Sequence, residues 1–133
     1  MILDIHPDSP VPIYEQLVAQ VIYGVASGAL EPGSMIPSIR DLATEVIVHP
    51  NTVARAWQEL ERRGVVSARR GKGMEVTPEA VAICRSQRQE LIRQRLRDTL
   101  REAVSSHLAP DEIRRLIDDE LARANGHRRG KKS

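Results

Sequence analysis

Asn51, Thr52 and Arg55 share one side of a helical stretch whose other side carries Val53, Ala56, Trp57 and Leu60. An amide, a hydroxyl and a guanidinium on one solvent face are outward-aimed hydrogen-bonding groups. Asn matches an adenine edge, and Arg matches a guanine edge or a backbone phosphate, so the grouping suits nucleic-acid recognition. Upstream, Ser38 and Arg40 stand at the start of another short helix, and His49 precedes Pro50 at the head of the first. Downstream, Arg69-Arg70-Gly71-Lys72-Gly73 lies between the β-prone runs Val65-Val66-Ser67-Ala68 and Met74-Glu75-Val76-Thr77. Cations at the tip of such a hairpin can track a phosphate backbone or enter a minor groove.

Local signals say how these residues are positioned. Ser38 can cap a helix with Asp41 as the reciprocal acid of a capping box. Pro37 favours an extended entry, which suits a short strand at Met35-Ile36. Ile39, Leu42, Ala43 and Val46 recur at helical spacing and are expected to face a core, with Arg40 pointing away. Pro50 suits the first turn of the next helix. Its free amides, with Asn51, Thr52 and Arg55 beside them, form the end that enters a major groove first. Gly64 is expected to end that helix, and the two β-prone runs to form a hairpin. In this order the parts make a winged helix-turn-helix, a device for reading duplex DNA. The expected fold class is mainly α with a small β-wing, followed by two C-terminal dimerisation helices.

The remaining segments divide as follows. Residues 1–12 form an extended arm containing Pro7, Pro10 and Pro12. The winged domain occupies 13–77, opening with a helix from Ile13 to Ser27 that turns Leu17, Val18, Val21, Ile22 and Val25 inward. Thr77 and Pro78 read as the cap and first turn of a long amphipathic helix through Leu91, Leu96, Leu100 and Val104, continuing to Leu108. A second helix, from Pro110 to about Ala124, presents Ile113, Leu116, Ile117 and Leu121. Two helices are too little to close a core alone, and a twofold pairing of copies is the commonest remedy. Residues 78–125 are therefore read as a dimerisation element. The tail 126–133 is basic and expected to be disordered and solvated.

On the residues Pro32-Gly33, Pro37-Ser38, Arg40, Leu42-Ala43, Asn51-Thr52-Val53, Glu59-Leu60-Glu61, Gly64 and Arg70-Gly71-Lys72-Gly73, the segment from about Ile13 to Thr77 resembles the DNA-binding domain of the GntR family of bacterial transcription regulators. Pro50-Asn51-Thr52 and the short C-terminal part resemble the YtrA-type subfamily. The resemblance implies that Arg40, Asn51, Thr52, Gly71 and the wing cations meet DNA. It also implies that the protein is dimeric and controls a nearby transporter operon; a dimer bound over a promoter would block polymerase, so repression is the expected default. Five positions depart from the pattern the resemblance implies: Ile47 stands where a turn glycine is usual, His49 at the N-cap, Ala54 where arginine is common, and Met74 and Glu75 on the returning wing strand. The residues after the wing are too few for the ligand domain of larger relatives. A small-molecule effector would have to bind at the dimer seam or between the helices and the winged domain.

Composition narrows the field further. The chain has 133 residues, a formal net charge of +2 and only Tyr14, Tyr23 and Trp57 as aromatics, so its core must be mostly aliphatic. Residues 1–33 carry Asp4, Asp8, Glu15 and Glu31 but no Lys or Arg, placing the cations on the helix-turn-helix, the wing and the C-terminal third. Arginines 85, 88, 93, 95, 97 and 101 read as a solvated helix face. The lone Cys84 excludes an internal disulfide and suits a reducing cytoplasm, with a buried structural thiol as the expected role. No signal peptide or membrane span is expected, since the apolar run from Leu17 to Ala26 is too short. The four histidines show no metal-ligand spacing, and no catalytic pair, cofactor loop or nucleotide motif stands out. The expected partners are double-stranded DNA and a second copy of the chain. The alternative is a winged-helix module that docks protein or RNA without reading DNA sequence, which would need apolar anchors on the Asn51 face.

Overall fold

The computed structural model describes residues 3–132. The elements are α1 (Ile13–Ala26), β1 (Met35–Ile36), α2 (Ile39–Val46), α3 (Pro50–Arg62), β2 (Val66–Arg69), β3 (Gly73–Val76), α4 (Ala80–Ser105) and α5 (Pro110–Lys132). The sheet is antiparallel in the order β1-β3-β2, with Ile36 opposite Met74 and Val66 opposite Val76. The chain divides into two compact units, Met1–Leu91 and Ile92–Ser133.

In the first unit, helical periodicity on α1 and α3 supplies most of the core. Leu17, Val21, Ile22 and Val25 of α1 meet Val53, Ala56, Trp57 and Leu60 of α3, all essentially buried. Burying such an aliphatic side chain contributes roughly 1.5–3 kcal/mol, so this α1–α3 layer dominates the unit's stability. Ile36, Val66 and Val76 close the core from the sheet, and Leu42 does so from α2. Ile39, expected to face inward, is instead 38% exposed. It is the first residue of α2, and the core-facing stripe begins one turn later at Leu42 and Ala43.

The N-terminal arm is fastened along α1. Gln16 accepts the His6 N–H at 2.8 Å and donates to the His6 and Val11 carbonyls at 2.9 Å. One turn on, Gln20 accepts the Asp4 N–H at 2.7 Å and returns a bond to the Asp4 carbonyl. Amides at i and i+4 stand on one helix face, so they satisfy the arm's backbone groups as a neighbouring strand would. Leu3 and Ile5 pack on the core from this arm.

Three boundaries differ from the sequence expectation. The first is the start of α4. The Thr77 hydroxyl donates to the Gly64 carbonyl at 2.6 Å rather than capping a helix, and α4 begins at Ala80. The first turns of α4 then complete the winged core: Ala80 and Cys84 are fully buried, and Val81, Ile83 and Leu91 pack beside them. The compact unit therefore extends to Leu91, beyond the expected limit at 77. Leu91, expected on the dimerisation seam, is half-buried against that core. The second is the end of α4 at Ser105. His107 takes a left-handed conformation (φ 64), and the Leu108 N–H returns to the Ala103 carbonyl at 3.2 Å. The third is α5, which opens at Pro110 with Asp111 and Glu112 in its first turn, where acids complement the helix dipole. It runs to Lys132, so most of the basic tail expected to be disordered is helical; Ser133 lies outside the described residues.

Candidate nucleic-acid interface

The helix pair is set by its caps and one buried indole. Ser38 adopts an extended conformation and its Oγ accepts the Asp41 N–H at 3.1 Å, the serine half of the expected capping box; the reciprocal bond from the Ser38 N–H to the Asp41 carboxylate is not made among the described residues. The Trp57 Nε1–H donates to the Pro37 carbonyl at 2.9 Å, tying α3 to the entry of α2. That bond gives the buried indole a partner and sets the spacing of Arg40 from α3. Sequence alone carried no sign of it beyond the indole's need for an acceptor when buried.

His49 proves to be a working N-cap. Its Nδ1 accepts the Asn51 N–H at 3.0 Å, a role usually filled by a side-chain oxygen. An accepting Nδ1 has no proton, so the neutral ring carries its hydrogen on Nε2. The residue is exposed, and that Nε2–H is a donor at the α3 N-terminus, whose own first amides are taken: Pro50 has none, and the Thr52 N–H bonds the His49 carbonyl at 2.9 Å. Asn51 and Arg55 are exposed on α3 and Thr52 is half-buried, while Val53, Ala56 and Trp57 face inward. Arg40 shares a shallow cleft of about 540 Å³ with Thr44, Val48 and Pro50, which brings it beside the start of α3. Ile47 ends α2 in the left-handed region (φ 54, ψ 57) and is 90% exposed.

The wing is β2, a tight turn and β3. The Lys72 N–H bonds the Arg69 carbonyl at 2.9 Å, and Gly71 sits at φ 77, where a side chain would be strained. Arg70, Gly71, Lys72 and Gly73 are exposed as expected. Arg69 is also exposed but paired with Glu75 across the hairpin, so its charge is partly committed within the protein. The register that sets Ser67 opposite Glu75 and Arg69 opposite Gly73 places Glu75 diagonally within reach of Arg69. Arg62 and Arg63 are likewise tied to Glu59, at 3.0 Å from the Arg62 Nε and 2.8 Å from the Arg63 Nε. Those bonds, Arg62 first, hold the Glu59 carboxyl down to about 2. Arg40, Arg55, Arg70 and Lys72 have no carboxylate partner among the described residues. Arg55 instead lies over the Tyr14 ring, 3.7 Å from its centroid.

Other candidates resolve simply. Cys84 is buried, which pushes its thiol up to about 11 against a weaker opposing effect of Arg63. That suits an inert structural thiol. No group of three or more His, Cys, Asp or Glu poised for a metal occurs among the described residues. Nor, among them, is any helix long and apolar enough to cross a membrane.

The second unit presents a different surface. Leu96, Leu100 and Val104 follow one stripe of α4, with Arg93, Arg97 and Arg101 beside them, and line a cleft of about 640 Å³. Leu96 is 54% exposed, Val104 64% and Leu121 of α5 56%, and Leu116 and Ile117 are exposed too. Ile113 is half-buried. Rows of large apolar side chains this accessible are unusual on a lone soluble surface and mark interaction sites.

Comparison with known proteins follows the same lines. Residues 13–76 match the family described as bacterial regulatory proteins, gntR family. The chain is 34% identical over 114 residues to the HTH-type transcriptional repressor YtrA of Bacillus subtilis (strain 168), covering 86% of this chain and 85% of that protein. A crystal structure of a transcriptional antiterminator from Listeria monocytogenes EGD-e is similar at TM-score 0.64 and 32% identity, over 91% of this chain and 90% of that one. YtrA from Sulfolobus acidocaldarius, a GntR-family transcription factor, is similar at TM-score 0.56 and 29% identity, over 92% of this chain and 99% of that one.

Proposed function

The chain belongs to the GntR family of bacterial DNA-binding transcriptional regulators, a family of regulators rather than enzymes, and on that premise we propose that it is a sequence-specific repressor. It acts as a homodimer in the cytoplasm, on an inverted-repeat operator. Each α3 enters one major groove with its capped N-terminus leading. Asn51, Thr52 and Arg55 supply base or phosphate contacts there, while Arg40, Ser38 and the His49 Nε2–H supply contacts to the flanking backbone. The wing lays Arg70, Gly71, Lys72 and Gly73 along a neighbouring phosphate run, with Arg69 weakened in this role by Glu75. A dimer seated over a promoter excludes polymerase, which makes repression the default outcome. The B. subtilis relative is described as a repressor, in line with this sign.

The carrying observation is the exposed, polar and uncompensated face made by Asn51 and Arg55 at the N-terminus of α3, with Arg40 beside it. Asn51 and Arg55 themselves offer hydrogen-bonding groups and charge rather than apolar anchors, which fits a groove better than a protein partner. The exposed rows on α4 and α5 support the homodimer. Leu96, Leu100, Val104, Leu116, Ile117 and Leu121 would be covered by the same rows of a second copy. An effector, where one acts, would change the spacing of the two recognition helices through unequal affinity for the two spacings.

The test is fluorescence anisotropy with duplexes selected from a random-sequence library by the wild-type protein. Scrambled duplex and single-stranded RNA serve as competitors across a salt series. Binding that resists scrambled competitor at two protomers per duplex supports the proposal. Competition by scrambled duplex at equal strength refutes it. A preference for RNA would favour the alternative of a docking module.

A further inference from the structure

Tyr14 and Arg55 stand far apart in sequence, on α1 and α3, yet the guanidinium carbon lies 3.7 Å from the Tyr14 ring centroid. The phenol is occupied elsewhere, donating to Glu15 Oε1 at 3.2 Å. Arg55 is exposed, and among the described residues no carboxylate or carbonyl takes its N–H groups. Stacking uses one flat face of the cation. The donors of a guanidinium lie in its plane as a rigid fork, so a stacked cation keeps them for a ligand.

The α1–α3 joint has no need of this contact, since Leu17, Val21, Val53 and Ala56 already pack there without exposure. What the ring adds is order. A solvent-exposed Arg samples many rotamers, and freezing them at an interface weakens binding. A guanidinium already laid on an aromatic face has lost part of that freedom before it meets a ligand.

We propose that Tyr14 is a positioning residue for DNA reading: its ring pre-orients the Arg55 fork toward a pair of acceptor oxygens or nitrogens on the duplex. The inference rests on the DNA-reading role proposed above. Two sources present that acceptor geometry, a backbone phosphate and the O6/N7 edge of guanine. The residue that specifies affinity would then lie partly outside the helix-turn-helix, on the first helix of the domain.

The experiment measures dissociation constants for a library-selected duplex and its scrambled counterpart, together with melting temperatures. The proteins are wild type, Tyr14→Phe, Tyr14→Leu, Arg55→Ala and the Tyr14→Leu/Arg55→Ala double variant. Phe keeps the ring and loses only the bond to Glu15, so it should retain wild-type affinity. Leu keeps bulk but no π face, so affinity should fall about two- to fivefold, the range for an exposed cation–π contact. In the Arg55→Ala background the same Leu change should have no further effect on affinity. A phosphate target would show as an equal loss on both duplexes with a salt slope lower by about one in the Arg55→Ala protein. A guanine target would show as lost discrimination between duplexes. Equal losses from Tyr14→Leu in both backgrounds, or a loss that simply tracks melting temperature, would overturn the positioning role. No loss at all would do the same. Failure of the wild type to tell the two duplexes apart would overturn the DNA-reading proposal itself, and this inference with it.

Discussion

Replacing Ile47 by Gly should stabilise the winged unit. Ile47 sits at φ 54, ψ 57 at the end of α2, a conformation that favours glycine, and its side chain is 90% exposed. A β-carbon in the left-handed region costs about 1–2 kcal/mol. Because the side chain touches little, truncation forfeits almost no packing. The Val48 N–H bond to the Ala43 carbonyl at 3.1 Å is made by backbone and survives. Against the relieved strain stands the greater freedom of glycine in the unfolded chain, worth about 0.4–1 kcal/mol. The net gain is about 0.5–1 kcal/mol, or about 2–8 °C in melting temperature for a unit of this size. Calorimetry and a urea titration read it directly, the latter as a higher midpoint at unchanged slope. Ile47→Ala is the deciding control. It removes the exposed branched side chain but keeps the β-carbon, so it should recover less than half of the gain. A lower melting temperature for Ile47→Gly, or equal gains from Gly and Ala, would refute the strain argument.

Three further outcomes follow from the charges and the core. Arg70→Ala and Lys72→Ala should each weaken binding to all duplexes and lower the salt slope by about one. Arg69→Ala should lower it less, because Glu75 already engages that cation; equal slopes for the three variants would remove the distinction. The Glu59 carboxyl, held near 2 by Arg62 and Arg63 against an ordinary 4.5, stabilises the fold above pH 4.5, and that contribution is lost as pH falls toward 2. Glu59→Gln should therefore flatten the acid side of the stability profile while leaving its shape above pH 5 unchanged, as acid-to-neutral urea titrations would read. Cys84, buried with its thiol near 11, should resist alkylation at pH 8 in the folded protein and react once urea unfolds it; fast labelling of the native state would contradict the burial.

The parts legible from sequence are those governed by neighbours a few residues away. The stripe Leu17, Val21, Ile22 and Val25, the Ser38 cap, Pro50 at a helix start and the glycine-flanked Arg70-Gly71-Lys72 turn each carry their own local signal. From these the element order, the fold class and the family could be read, as could the outward side of α3 with Asn51 and Arg55. Legibility failed where a helical stripe meets an end. Periodicity alone put Ile39 inside, and it carried the long helix through His107, whose left-handed backbone stops it two residues earlier.

Tertiary structure alone decided which groups spend their hydrogen bonds and charge on one another. Trp57 bonds Pro37, Thr77 bonds Gly64, Arg69 is engaged by Glu75, and Arg55 lies on Tyr14. It also decided that Leu91 belongs to the winged core and that the compact unit ends there rather than at the wing. The division has a physical cause. Helix periodicity, capping and turn preference act within one or two turns of chain, so they are written in the local sequence. The pairing of a donor with an acceptor, or of a cation with a ring, depends on distances between segments that only packing of the whole core brings to a few ångström.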